Sequence, residues 1–475
     1  MKARTKEEGL VASIVHGTMQ QKIPERRAST SNNPGEARSV AMRGTEHSVP
    51  PSTRKRPTVA PTIAMIVERE NMRNALKQVQ ANKGAGGSDG MTVEALPRFL
   101  KSEWPRIKNQ LVSATYRPQP VRRVEIPKPD GGKRLLGVPS VIDRLIQQAT
   151  LQVLQAAWDS TFSEHSYGFR PERSAHGAIR KAQRYIQRGH RVVVDIDLEK
   201  FFDRVNHDIL MGLVMRRVQD KVIVTLVRSY LSAGVLIGGL VQATRDGVPQ
   251  GGPLSPLLSN LMLDQLDREL ERRGHSFVRY ADDCNIYVRC HRAGARVMTS
   301  ITKFLAQTLK LRVNTTKSAI DYPFRRTFLG FSFDQGGKKI RIAPKSLVRL
   351  KERVRDLTSR TGGRSLEDTI EKLSMYLRGW YGYFRLSQTP STFENLDPWI
   401  RRRLRSLMWK QWKTPAKRYA ALRNLGVSEM LAASTTKGAR RNGSWRMAGN
   451  PGMSGALNPK YLRSLGLFSL FQPTE

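Results

Sequence analysis

The chain of 475 residues carries 81 Lys and Arg against 40 Asp and Glu, a formal charge of +41. A chain this basic repels itself unless a polyanion is its usual partner, so nucleic acid is the expected partner class. Its two cysteines, Cys284 and Cys290, are too few for a disulfide framework or a four-cysteine zinc module, and no apolar run is long enough to span a bilayer, so no membrane partner is expected.

Residues 1–60, polar and turn-rich without periodicity, read as a basic, disordered leader. From about Ile63 the pattern turns helical, with Met72, Leu76 and Val79 at helical spacing. Asn82–Gly90 is a glycine-rich stretch that fits a structural turn or a phosphate loop. Arg122–Leu135 reads as a hairpin with a glycine-rich tip. Lys128, Lys133 and Arg134 make one end of it positive, which suits a solvated surface or a phosphate. A buried helix follows toward Gln148. Arg191–Leu198 is a β-branched strand whose alternation puts Asp195 and Asp197 on one face with Val193. Carboxylates on a core strand are costly unless they pair or bind a cation. The aromatic pair Phe201 and Phe202 follows at once.

Gly247-Val248-Pro249-Gln250-Gly251-Gly252-Pro253 comes next. Its glycines allow close backbone approach, and its prolines stiffen a loop before a helix that begins at Ser255 or Leu257. Phe277–Val288 reads as two short strands with Asp282 and Asp283 on the tight turn between them. Adjacent carboxylates repel, and Mg²⁺ is the cation that shares carboxylates with substrate phosphates. An amphipathic helix around Val297–Leu309 precedes Asn314–Ser318, which contains Lys317, and then the segment Phe328–Phe333. From Lys338 onward there are 28 Lys and Arg against 9 Asp and Glu. Leu347, Leu350, Val354 and Leu357 form one apolar stripe. A second helix is expected to start after Asp397 as N-cap, with Pro398 in its first position. Ile400, Leu404, Leu407, Met408 and Trp412 would face a core. Arg401, Arg402, Arg403 and Arg405 would lie outside it near Trp409, as a solvated face or an RNA-backbone surface. After Leu425 there is neither Cys nor His, and the only acids are Glu429 and Glu475.

Taken in order, Asp197, Phe202, the Pro249-Gln250-Gly251 loop and the Tyr280-Ala281-Asp282-Asp283 hairpin resemble the palm of a reverse transcriptase. Tyr376–Trp412 resembles the thumb and maturase domain of group II intron proteins, so the chain is identified as a member of the group II intron-encoded reverse transcriptase/maturase family, of the type that lacks an endonuclease. The resemblance implies an α/β (α+β) right-hand polymerase fold. Fingers and palm, with an antiparallel palm sheet, would span 61–335. A helical thumb/maturase X domain would span 336–425, and a basic DNA/RNA-binding tail 426–475.

The resemblance also implies an RNA-directed DNA polymerase in which Asp197, Asp282 and Asp283 hold two Mg²⁺ ions. Asp195 remains the alternative to Asp197, whose five-residue spacing to Phe202 matches the family. Lys128 and Arg134 would meet the triphosphate, Phe202 the sugar, Gln250 the templating pair and Lys317 the leaving pyrophosphate. Phe328, Leu329 and Gly330 would grip the primer, and Arg401, Arg402, Arg403 and Arg405 would bind RNA. The implied partners are group II intron RNA, an RNA template with a DNA primer, target DNA and dNTPs, in bacterial cytoplasm or nucleoid rather than an organelle. The oligomeric state stays open. Two rival roles remain: a splicing cofactor with a dispensable polymerase, and a reverse transcriptase serving another system such as phage defence.

Overall fold

The computed structural model describes residues 60–127, 132–237, 240–243, 246–437 and 442–471. The expected leader, apart from residue 60, and Lys128 lie outside them, and of Arg134 only the backbone is described. The chain divides into two compact units. One runs through Ala178 and resumes over Val194–Ile320; the other comprises Ile179–Val193 and the residues from Asp321 onward. Residues 321–335, grouped above with the palm, fall in the second unit.

The first unit opens with α1 (Ile63–Ile66), α2 (Arg69–Ala81) and α3 (Leu96–Val112). On α2 the buried residues are Ala75 and Val79, with Met72 and Leu76 half-buried, so the stripe is rotated slightly from the expected one. The hairpin of β1 (Val121–Pro127) and β2 (Lys133–Val138) is antiparallel, with Val124 opposite Leu136. α4 (Val141–Trp158) is capped by Ser140, whose Oγ accepts from the Asp143 N–H at 3.1 Å, and is buried over most of its surface, the polar Asp143, Gln147, Gln148 and Thr150 included. α5 (Ala175–Gln187) belongs mostly to the second unit, and the chain returns to the first within β3 (Val192–Ile196), followed by α6 (His207–Met215), α7 (Lys221–Ser232), β4 (Val235–Ile237) and β5 (Leu240–Gln242). Asn206 and Asp220 cap α6 and α7 through their side chains. α8 (Ser255–Arg272), β6 (Ser276–Tyr280), β7 (Asp283–Val288), α9 (His291–Thr308) and β8 (Ala319–Asp321) complete the run. Two four-stranded sheets result, ordered β2-β1-β4-β5 and β6-β7-β3-β8.

In the second unit β9 (Phe331–Phe333) pairs antiparallel with β10 (Ile340–Ile342). Helices α10 (Pro344–Leu357), α11 (Leu366–Phe384), α12 (Pro390–Gln411), α13 (Pro415–Asn424), α14 (Glu429–Lys437), α15 (Ser444–Met447), α16 (Pro451–Ala456) and α17 (Pro459–Ser464) follow. Leu350, Val354, Leu373, Leu377 and Leu404 lie in its core. Residues beyond 425, expected as a basic tail, are packed here: Met453, Leu457 and Leu462 are buried. Asn450 and Asn458 each cap a helix that begins with proline.

One helix start is corrected. α12 begins at Pro390 and runs straight through Pro398. An internal proline costs about 3 kcal/mol. Phe393, Leu396, Ile400, Leu404 and Leu407 hold one buried face across it, and each buried side chain of this size contributes roughly 1.5–3 kcal/mol. Burial therefore wins. Asp397 does not cap α12; its buried carboxylate accepts from Ser469 Oγ, from the Leu470 N–H at 2.9 Å and from the Phe471 N–H at 3.2 Å. Among the described residues no helix is long and apolar enough to cross a membrane.

Candidate active site

Three local devices build the site, all in the first unit. The first is the turn joining β6 to β7. Tyr280 stands opposite Asp283, which leaves Ala281 and Asp282 to reverse the chain. A two-residue reversal between twisted strands calls for positive φ, and Ala281 adopts +57°. That conformation is costly for a residue with a Cβ, so the surroundings must hold it. Gly168 closes against it: a Cβ there would strike the Ala281 amide nitrogen and come within 3.0 Å of the Tyr280 carbonyl carbon.

The second device is β3. Val194, Ile196 and Leu198 are buried, leaving Asp195 and Asp197 half-buried on the other face, as the alternation predicts. Asp197 is fixed through its main chain. Its N–H donates to Ser318 Oγ at 3.0 Å, and its carbonyl accepts from the Asn314 N–H at 2.8 Å. Asn314 Oδ1 accepts in turn from the N–H groups of Thr316 and Lys317, at 3.1 and 3.3 Å. The turn bearing Lys317 is thereby tied to the Asp197 strand.

These carboxylates share one electrostatic field. The Asp283 carboxyl is pushed up to about 7, first by burial and then by Asp282, Asp195 and Asp197, with Lys317 acting the other way. Asp283 also keeps solvent-exposed surface, and water there screens part of the effect, so the shift marks crowded charge and is assigned no stability. Asp195 raises Asp283 more than Asp197 does and belongs to the same field. Among the described residues no group of three or more His, Cys, Asp and Glu is arranged to hold a metal ion by itself. The set is nonetheless all-oxygen, carries surplus negative charge and reaches solvent. This suits Mg²⁺, which keeps several ligands as water or substrate phosphate.

The third device is the loop before α8. The Gly247 N–H donates to the Val205 carbonyl at 2.8 Å, and the Val248 N–H to the Phe202 carbonyl at 2.7 Å. Gly247 has φ +95°, and a Cβ there would lie 2.9 Å from the Phe202 oxygen. On its other side the loop meets β2, where the Gly137 N–H donates to the Gln250 carbonyl at 2.7 Å. Phe202 is half-buried, edge-on to buried Phe201 at 5.2 Å, and Gln250 is half-buried too. One hydrogen-bonded assembly therefore carries Phe202 and Gln250, while Lys317 belongs to the field of the carboxylates.

The remaining predicted residues lie in the second unit or beyond description. Phe328 and Phe331 exchange N–H···O bonds of 2.9 Å around Leu329 and Gly330, both at positive φ. The Leu329 carbonyl accepts from the Tyr383 hydroxyl at 2.9 Å. The arginine row of α12 is largely tied to its own domain. Arg402 donates to the Trp445 carbonyl and stacks on its ring at 4.6 Å, and Arg403 donates to Thr358 Oγ1 at 3.0 Å. Arg405 donates to the Leu457 carbonyl at 3.1 Å. Trp409 is buried and carries Arg418 over its ring at 4.5 Å, and Trp412 is only half-buried. A cleft of about 480 Å³ nearby is lined by Arg360, Lys410, Lys413 and Arg418, with no acid among its lining residues.

Sequence reasoning missed Gly168, Asn260, Asp267 and Arg279, which surround the acidic turn. One signal was present: Arg279 interrupts the apolar run Phe277-Val278, and a charge inside a core strand requires a buried partner.

Two family models match: reverse transcriptase (RNA-dependent DNA polymerase) over residues 126–333, and the group II intron maturase-specific domain over residues 347–426. Protein YkfC of Escherichia coli K12 is 35% identical over 301 residues, spanning 55% of this chain and 79% of its own. The group II intron-encoded protein LtrA of Lactococcus lactis subsp. cremoris is 37% identical over 195 residues, 41% of this chain but 32% of LtrA. A telomerase structure from Candida albicans aligns at TM-score 0.38 and 14% identity over 76% of this chain and 66% of that one, too weak a likeness to argue from.

Proposed function

The chain belongs to the group II intron-encoded reverse transcriptases, RNA-directed DNA polymerases of right-hand α/β fold joined to a maturase domain, and from that premise we propose which residues do the work. The family uses Mg²⁺ and binds nucleic acid. Asp197, Asp282 and Asp283 are the residues to hold two Mg²⁺ ions, with Asp195 tuning their field. The metal supplies charge to activate the primer 3′-hydroxyl and to neutralise the triphosphate. Phe202 supports the deoxyribose from below and leaves no room for a 2′-hydroxyl. The Gln250 loop presses against the nascent pair, and the Lys317 ammonium gives a proton to the departing pyrophosphate. Lys128 and Arg134 meet the triphosphate, and Phe328–Gly330 the primer end. The observation that carries this reading is the sheet order β6-β7-β3-β8, which sets the strand opened by Asp283 beside the strand leading to Asp195 and Asp197, with the Lys317 turn hydrogen-bonded to Asp197.

Asp282→Asn removes one unit of metal-binding charge. It is expected to lower primer extension on an RNA template by several orders of magnitude, while RNA affinity changes little. Near-normal extension by this variant would overturn the assignment.

Intron RNA is the second substrate in this reading, bound to assist splicing and copied during mobility, with target DNA and dNTPs completing the set. The cleft of Arg360, Lys410, Lys413 and Arg418 supports a phosphate-backbone contact in the maturase domain. The maturase-domain match favours the intron role over service in an unrelated system such as phage defence.

A further inference from the structure

Arg279 lies in mid-β6 with 0% exposure, and Asp267 on α8 is equally buried. Taking both charges out of water is tolerated only when each donor finds an acceptor. Arg279 meets that condition in full. Its Nε donates to Asp267 Oδ1 at 2.7 Å and its Nη2 to Oδ2 at 2.6 Å, a bidentate pair. Nη2 also donates to Ser166 Oγ at 2.8 Å, and Nη1 to Asn260 Oδ1 at 3.0 Å. The fifth N–H goes elsewhere: Nη1 donates to the Ala281 carbonyl at 2.8 Å.

That last acceptor matters because Ala281 is the residue of the acidic turn at positive φ, and its carbonyl belongs to the peptide plane that leads into Asp282. A planar peptide transmits orientation, so fixing that oxygen fixes the direction of the Asp282 N–H and the start of its side chain. A second lock acts from the 165–168 loop. The Arg279 N–H donates to the His165 carbonyl and the Tyr167 N–H to the Arg279 carbonyl, both at 2.9 Å. Asn260 Nδ2 donates to the Gly168 carbonyl at 2.9 Å, holding that glycine against the Ala281 amide.

We propose that the Arg279–Asp267 pair is a buried strut that sets the conformation of the Ala281-Asp282-Asp283 turn, making Arg279 a positioning residue for nucleotidyl transfer. The proposal rests on the reading of Asp282 and Asp283 as metal ligands. Arg279 touches neither substrate nor metal and acts through the direction of one carbonyl.

The test uses the full chain with an RNA template and DNA primer. Replacing both charges together, Arg279→Met with Asp267→Leu, leaves neither buried ion unpaired, a change that proteins often tolerate without loss of stability. The thermal midpoint is expected to stay within a few degrees of the parent. The kcat for single-nucleotide addition should fall about 10–100-fold, the range seen when support behind metal ligands is removed. The KM for dNTP and the duplex Kd should move less than about threefold. Mn²⁺ bound to the duplex complex, followed by electron paramagnetic resonance, should bind about tenfold more weakly. Arg279→Lys, which keeps the charge but not the fork, should fall between the two.

Parent-like kcat and Mn²⁺ affinity in a folded double variant would reduce the pair to core packing and overturn the proposal. If the double variant does not fold, Arg279→Lys decides, since parent-like kcat there has the same force. Asp282→Asn run in parallel separates the layers. Intact extension in that variant sinks the metal reading, whereas lost extension beside an unaffected double variant sinks only the strut.

Discussion

Adding a single methyl at Gly251 tests how closely the Gln250 loop must approach its neighbours. Gly251 has φ +125°, a region closed to residues with a side chain, and a Cβ there would sit 2.6 Å from the Gly137 carbonyl oxygen. Neither partner is the flexible end of a side chain, so the loop must move. That movement breaks the 2.7 Å bond from the Gly137 N–H to the Gln250 carbonyl. The backbone strain is about 1–3 kcal/mol and the lost bond about 0.5–1.5 kcal/mol, together about 1.5–4.5 kcal/mol concentrated in one loop. A domain with about 5–15 kcal/mol of stability survives this. The damage therefore falls on placement, where a 1 Å error costs on the order of 100-fold in rate. Single-nucleotide addition with each of four dNTPs on an RNA-templated primer is the assay, with thermal unfolding as control. Gly251→Ala should lose about 100-fold in kcat/KM for the matched dNTP and less for mismatches, so discrimination narrows. Gly274→Ala, at φ +70° with nothing within 4 Å of its Cβ, should extend primers like the parent. Parent-like rate and discrimination in Gly251→Ala would refute the idea that this loop presses on the nascent pair.

Phe202→Val should open space beneath C2′ and raise ribonucleotide incorporation; unchanged ribo/deoxyribo discrimination would place the gate at another residue. The second unit offers a contrast between two kinds of cation. Lys410→Gln with Lys413→Gln, both exposed at the cleft, should leave the thermal midpoint unchanged and flatten the salt dependence of intron RNA binding by roughly 0.7–0.9 in log–log slope per lost contact. Arg403→Gln should instead lower the midpoint, because its guanidinium holds Thr358 Oγ1 and the Thr358 carbonyl near the end of α10. A slope unchanged by the lysine pair would remove the cleft from the RNA surface.

The side chains proposed to carry the chemistry are legible because each leaves a local signature. Two carboxylates on one face of a β-branched strand, two more where two strands reverse, and a glycine–proline loop can be read without knowing what they pack against. The devices that aim them were not legible, because each joins distant segments. Ser318 reaches Asp197 across 121 positions, and Ser166 reaches Arg279 across 113. Helix ends failed where tertiary burial overrode a good local rule. Asp397-Pro398 has the chemistry of a helix start, yet the apolar face running through it prevailed, and the Asp397 carboxylate serves the Ser469–Phe471 segment instead. The short helices after Leu425 offered too few turns for periodicity, although the Asn450-Pro451 and Asn458-Pro459 pairs marked two of their starts.

The formal charge of +41 overstates what the protein can offer a phosphate backbone. Many of its arginines are occupied internally as planar, multi-donor struts. Arg279 is fully buried; Arg170, with a side chain only 3% exposed, holds Asp159 and the Ser163 and Ser166 carbonyls; Arg217 holds fully buried Asp264. Arg402, Arg403 and Arg405 bond to carbonyls of their own domain. A guanidinium suits this work because its fork satisfies several acceptors at once, whereas an ammonium is a strongly hydrated point charge that prefers to remain at the surface. Exposed lysines such as Lys410 and Lys413 of the 480 Å³ cleft are then the cations left to displace counterions. Composition correctly identifies a polyanion as the partner. The number of phosphates engaged follows from which cations still face water, and on α12 Lys410 is exposed whereas Arg402, Arg403 and Arg405 are half-buried and bonded within their own domain.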